Sequence, residues 1–210
     1  MNLSELLRPF SPPETNFVDR LRYWKDAKAN DLAMRFLQDG ETKEHCLTYA
    51  QLDERARAIA AKMIAMNMRG QRALLLYQSG LDFVEAFMGC HYAGVIPVPA
   101  FPPRRNRNMG RIDSISRDAQ AALALTTSDV LERIDRATLT DSPSLQRATW
   151  LATDTVSSEL ASDWVQPTVG SQDIALIQYT SGSTGTPKGV VLTQGNVMAN
   201  CKMITEAFQV

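Results

Sequence analysis

Ala73-Leu74-Leu75-Leu76-Tyr77 runs into Ser79-Gly80, then a stretch over 81–93, then Gly94 and the extended segment Val95-Ile96-Pro97-Val98-Pro99. The first five residues are apolar without alternation, as expected of a central parallel strand covered by helices on both faces. Ser79-Gly80 turns the chain. Phe83, Val84, Phe87 and Met88 recur at helical spacing, and Gly94 supplies the helix stop. Strand, helix and strand in this order form a βαβ unit, which makes the fold class α/β with a parallel sheet.

The same alternation continues downstream. A helix is predicted over 111–118, a strand over 121–125, a helix over 129–137 and a strand over 149–151. Residues 157–171, rich in Ser, Asp, Pro and Gly, read as a surface connection. Upstream, Phe17, Leu21 and Trp24 mark an amphipathic helix over 17–28, and 31–36 pairs with a strand near Cys46-Leu47 in a hairpin turning at Asp39-Gly40. Thr48 and Gln51 have capping-box spacing, so a helix starts there. Its predicted buried stripe is Leu52, Ala56, Ile59, Ala60, Met63 and Ile64, with Asp53, Glu54, Arg55, Arg57 and Lys62 on the other faces. Residues 1–15, with Pro9, Pro12 and Pro13, read as a loosely ordered leader ahead of a single unit over 16–210.

The 210 residues are 44% hydrophobic and 21% charged, which is ordinary globular composition. With 22 basic and 23 acidic residues the net charge is -1, so no global field draws the chain to nucleic acid, and any anion site must be local. Cys46, Cys90 and Cys201 are odd in number and far apart, as in reduced thiols rather than a disulfide framework. No apolar run is long enough to span a bilayer and the start lacks a signal-peptide pattern, so a cytoplasmic location without an integral membrane segment is expected.

The chemistry concentrates in Tyr179-Thr180-Ser181-Gly182-Ser183-Thr184-Gly185-Thr186-Pro187-Lys188-Gly189. Gly/Ser/Thr composition also makes flexible connectors, but here 174–179 and 190–192 read as buried strands on either side, and Pro187 stiffens the chain before Lys188. Gly182, Gly185 and Gly189 allow positive φ and close approach, the hydroxyls of Thr180, Ser181, Ser183, Thr184 and Thr186 donate, and successive N–H groups can form an anion nest with Lys188 as point charge. The spacing is not that of a P-loop, a dinucleotide fingerprint or a serine elbow. Thr193 is a predicted N-cap for a last helix through Val197, Met198, Cys201, Ile204, Ala207 and Phe208. Arg104, Arg105 and Arg107 cluster in a Pro-rich stretch, either as solvated surface charge or as a local anion contact. His45 and His91 read as structural or surface histidines.

Over its full length the loop resembles the phosphate-binding signature of adenylate-forming enzymes. Three further stretches, 47–52, the segment Gly94 to Arg105 with its Pro-Pro-Arg-Arg run, and 118–127, resemble the fatty acyl-AMP ligase branch. The resemblance implies the N-terminal part of an adenylation domain, with a mostly parallel sheet and flanking helices. It implies a reaction of ATP with a fatty acid to acyl-AMP and pyrophosphate, followed by transfer to an acyl carrier protein or polyketide synthase. Thr180, Ser181, Gly182, Ser183, Thr184, Gly185, Thr186, Lys188 and Gly189 would then hold the nucleotide, Lys188 would be catalytic, and Thr184 would approach Mg²⁺. An acyl-CoA synthetase and a non-catalytic scaffold of the same fold are the alternatives. Gln194 stands where the family often has histidine. Because such enzymes are more than twice as long, this stretch alone is expected to be inactive.

Overall fold

A computed structural model describes residues 16–102, 109–134, 139–180 and 187–208. Helix α1 (Phe17–Ala27) leads into the antiparallel hairpin β1 (Leu32–Leu37) and β2 (Glu44–Thr48), then α2 (Tyr49–Ala65), β3 (Arg72–Leu76), α3 (Leu81–Ala93) and β4 (Ile96–Ala100). Next come α4 (Gly110–Ala119), β5 (Leu123–Thr126), α5 (Ser128–Arg133), α6 (Pro143–Arg147) and β6 (Thr149–Ala152). The hairpin β7 (Ile174–Thr180) and β8 (Lys188–Thr193) and helix α7 (Gln194–Phe208) complete the described chain. The predicted helix over 129–137 is α5, and its residues 135–137 lie outside the described residues, as does the leader 1–15.

The main sheet is parallel, in the order β4-β3-β5-β6, with Leu74 level with Val98 on one side and Ala124 on the other. The unalternating run of β3 follows from this place. Ala73, Leu75 and Tyr77 enter one core with α2 and α3, while Leu74 and Leu76 enter a second core with Ile112, Ile115 and Ala119 of α4 and Leu145 of α6. Successive side chains of a strand point to opposite faces, so two helical layers demand apolar residues at every position. The capping box forms as read: Gln51 N–H donates to Thr48 Oγ1 at 3.2 Å and Thr48 N–H to Gln51 Oε1 at 2.9 Å. Gly94 ends α3 in the left-handed region at φ 66°.

Four expectations fail, each for a tertiary reason. Asp53 was placed on a polar face of α2, yet it is fully buried, because Arg22, Arg57 and the Tyr92 hydroxyl converge on its carboxylate. Ile64, placed in the buried stripe, is 40% exposed in the last turn of that helix.

The connection over 157–171 is a packed strap. Arg55 donates to the carbonyls of Thr153 and Val156 just ahead of it, Arg57 donates to that of Ala161 within it, and the Trp164 indole donates to the Tyr92 carbonyl while stacking on its ring. Helix-borne guanidinium groups thus satisfy backbone carbonyls that would otherwise need water. Finally, β7 and β8 were read as buried strands. They form a separate two-stranded sheet in which Ala175 and Tyr179 are buried but Val190 and Val191 are exposed, since β7 runs beside β4 while β8 pairs only with β7.

Candidate functional site

The carboxyl ends of β3 and β4 open on a cavity of about 690 Å³, lined among others by Tyr77, Phe83, Phe101, Arg111, Ile112 and Tyr179. In open α/β sheets ligands bind outside the carboxyl ends of the strands where the strand order reverses, and the volume suits a small organic ligand. The chain leaves β3 for β4 and then crosses back over β3 to β5, so the order reverses between β3 and β5, and the cavity lies on the β4 side of that reversal.

The walls are mainly apolar. Phe83 meets Tyr77 edge-on at 6.4 Å, and the Tyr77 hydroxyl shares a 2.8 Å hydrogen bond with Thr153 Oγ1. Burial pushes the Tyr77 phenol well above its ordinary range, so it stays protonated. Arg111, exposed at the start of α4, is the charged residue of the lining.

The hairpin carrying the hydroxyl-rich loop borders this cavity through Gln178 and Tyr179. Thr180 and Lys188 are register partners at its tip, both exposed, and so stand at the two feet of the loop. Ser181, Gly182, Ser183, Thr184, Gly185 and Thr186 lie outside the described residues, as do Arg104, Arg105 and Arg107. Gly189 differs from its reading as a positive-φ residue. It is a strand residue directly across from Tyr179, and a Cβ there would lie 2.9 Å from Tyr179 Cζ and from Ile177 Cγ2. Its glycine character answers to the Tyr179 ring.

Tyr179 opens the hydroxyl-rich stretch, and the sequence assigns it no role. Its hydroxyl donates to the carboxylate of Asp118 near the end of α4, and burial followed by this bond raises the phenol pKa. The pairing joins residues far apart in the chain, and no local pattern could have shown it. Among the described residues no three His, Cys, Asp or Glu side chains converge to hold a metal.

Gln194 and His91 meet at the opposite end of the sheet, beside a second cavity of about 420 Å³. Gln194 Oε1 accepts from Phe17 N–H at 3.2 Å, which fixes its amide so that Nε2 donates to His91 Nδ1 at 3.0 Å. His91 therefore carries its proton on Nε2, a buried atom without a hydrogen-bond partner, and burial lowers its pKa to about 3. His91 is a core residue, and Gln194 ties the start of α1 to it. His45 is exposed on β2.

Because the unfolded chain takes up this proton near pH 6.5 and the folded chain near pH 3, stability must fall as pH drops between those values. At pH 5 the cost is about 2 kcal/mol, from roughly 1.5 pH units at 1.36 kcal/mol each. Urea unfolding at pH 7 and pH 5 should show that the natural chain loses about 2 kcal/mol more than a His91→Gln variant does. Equal losses would contradict a neutral buried imidazole.

The model of the family described as AMP-binding enzyme matches residues 22–210. The medium-chain-fatty-acid–[acyl-carrier-protein] ligase JamA of Moorena producens is 41% identical over 94% of this chain and 34% of its own length. The long-chain-fatty-acid–AMP ligase FadD32 of Mycolicibacterium smegmatis is 34% identical over 94% of this chain and 32% of its own length. A crystal structure of the fatty acyl-adenylate ligase from L. pneumophila, in complex with acyl adenylate and pyrophosphate, superposes with a TM-score of 0.84. It is 32% identical and covers 93% of this chain and 33% of that one. The chain thus spans about a third of the length of the relatives it matches.

Proposed function

This chain belongs to the AMP-binding enzyme family, and on that premise we propose that it forms the N-terminal part of a fatty acyl-AMP ligase. The observation that carries the proposal is the joining of an apolar cavity to the feet of a hydroxyl- and glycine-rich loop, through Gln178 and Tyr179. One face suits a hydrocarbon chain and the other suits phosphate. The names of the similar proteins, ligases of fatty acids to AMP or to acyl carrier protein, support the same substrates here.

In the proposed reaction a fatty acid carboxylate oxygen attacks the α-phosphorus of ATP, the bond to the bridging oxygen breaks, and pyrophosphate leaves. A carrier-protein thiolate then attacks the acyl carbon of the adenylate and AMP departs. Mg²⁺ would come with ATP, held through the substrate phosphates, and would neutralise part of their charge. Thr184 is the residue assigned to approach it. Thr180, Ser181, Gly182, Ser183, Thr184, Gly185, Thr186 and Gly189 cradle the phosphates, and Lys188 meets their growing charge. Phe83, Ile112 and Ile115 keep water from the acyl chain, and Arg111 offers a cationic contact at the edge of the cavity. The three cysteines, all unpaired, suit a reducing cytoplasm.

The test uses the full-length protein carrying this segment. It should exchange labelled pyrophosphate into ATP only when a fatty acid is present, and should then load holo-acyl carrier protein rather than coenzyme A. Abundant acyl-CoA would make it an acyl-CoA synthetase, and absence of exchange with short, medium and long acids would leave a non-catalytic module. The 210-residue segment by itself is expected to form no acyl-AMP, because it carries only a third of the matched enzymes' length.

A further inference from the structure

We propose that Tyr179 and Asp118 form a latch that sets the height and orientation of the phosphate loop, making both positioning residues for the nucleotide. The inference rests on reading 180–189 as the phosphate site.

The hairpin is anchored along β7, which runs beside β4, whereas Lys188, Gly189, Val190 and Val191 of β8 are all exposed. Tyr179 is the exception, 8% exposed, and it is the residue immediately before the Thr180–Lys188 pair from which the loop springs.

Its ring is confined on one side by Gly189, where no side chain could fit, and ends in a hydroxyl that donates to Asp118. Asp118 belongs to a rigid element. Helix α4 buries Ile112, Ile115 and Ala119 against the sheet, and its Asp113 accepts from Ser144 N–H at 2.8 Å and Leu145 N–H at 3.1 Å to cap α6. A phenol-to-carboxylate bond is charge-assisted and so stronger than an ordinary one. Because α4 also lines the cavity with Arg111, Ile112 and Ile115, the latch fixes the loop relative to the cavity wall as well as to the sheet.

The test compares Tyr179→Phe, Asp118→Ala, their double variant and Asp118→Asn in the full-length protein. Asparagine keeps an oxygen that can accept the phenol proton but not the charge, so it should recover part of what alanine loses. In pyrophosphate exchange, Tyr179→Phe and Asp118→Ala should each raise KM for MgATP about tenfold, the scale of one charge-assisted hydrogen bond, and leave KM for fatty acid within about twofold. The double variant should be no worse than either single one, as members of one interacting pair require.

An unchanged KM for MgATP, equal rises in both KM values, additive losses or no rescue by asparagine would overturn the latch. Should the natural protein show no exchange at all, the ligase reading fails and amide hydrogen exchange over 177–193 decides the latch separately. Exchange should quicken about tenfold in Tyr179→Phe and Asp118→Ala and less in Asp118→Asn, and unchanged protection would refute it.

Discussion

An Asp53→Ala protein is expected to lose about 3–5 kcal/mol of stability, the usual scale when one partner of a buried ion pair is removed. The carboxylate is fully buried and receives Arg22 Nη1 at 3.2 Å, Arg57 Nε at 2.9 Å and the Tyr92 hydroxyl at 2.8 Å. These groups come from α1, α2 and α3, so one side chain joins three helices. Its loss takes the shared acceptor from two partly exposed guanidinium groups and leaves the buried Tyr92 phenol without its partner.

The damage should spread to the strap, because Arg57 also holds the Ala161 carbonyl and Trp164 stacks on Tyr92. Against a total of about 5–15 kcal/mol for a folded domain this is a large fraction. Asp53→Asn, which keeps the shape and one acceptor, should cost less. Glu44→Ala, which breaks the exposed Arg35–Glu44 pair, should cost under about 1 kcal/mol. Urea titrations of the three variants check the order, and a neutral Asp53→Ala would mean that the arginines find other partners.

Lys188→Ala should leave the fold intact and lower fatty-acid-dependent pyrophosphate exchange about 10²–10³-fold, the effect of removing one preorganised charge from a site of developing negative charge. The position explains both halves. Lys188 is the exposed first residue of β8, paired through its backbone with Thr180, so the strand does not depend on its side chain. An ammonium on a flexible stem can follow the phosphates as charge shifts onto the leaving pyrophosphate in the proposed reaction. Lys188→Arg should recover only part of the loss, because a planar fork does not reproduce a compact point charge. Exchange rates measured beside melting temperatures in the full-length protein decide the matter. Normal exchange in Lys188→Ala would remove this residue from the proposed chemistry.

Much of this architecture could be read along the chain because its signals are local. The unbroken apolar run of β3, the box at Thr48 and Gln51, the stop at Gly94 and the cap at Thr193 each act within a few residues, where side-chain period and backbone sterics decide the outcome. The proposed phosphate loop is legible for a related reason: a phosphate cradle needs glycines and hydroxyls in one continuous stretch, so such a stretch is visible in the order of residues.

What the sequence by itself determined, then, is the α/β class, the order of the strands and of most helices, and the composition of the stretch from Thr180 to Gly189 on which the proposed site rests. Only the tertiary structure decided the rest. Asp53 is a helix residue like its charged neighbours until Arg22 and Tyr92 arrive from other helices to neutralise it. Tyr179 is an aromatic strand residue until α4 brings Asp118 within reach and Gly189 makes room for its ring. Gln194 is a helix N-terminal polar residue until it bridges Phe17 and His91 across the sheet end. In each case the controlling interaction is a hydrogen bond or ion pair between residues distant in the chain, whose strength depends on burial, and burial is a property of the packed molecule.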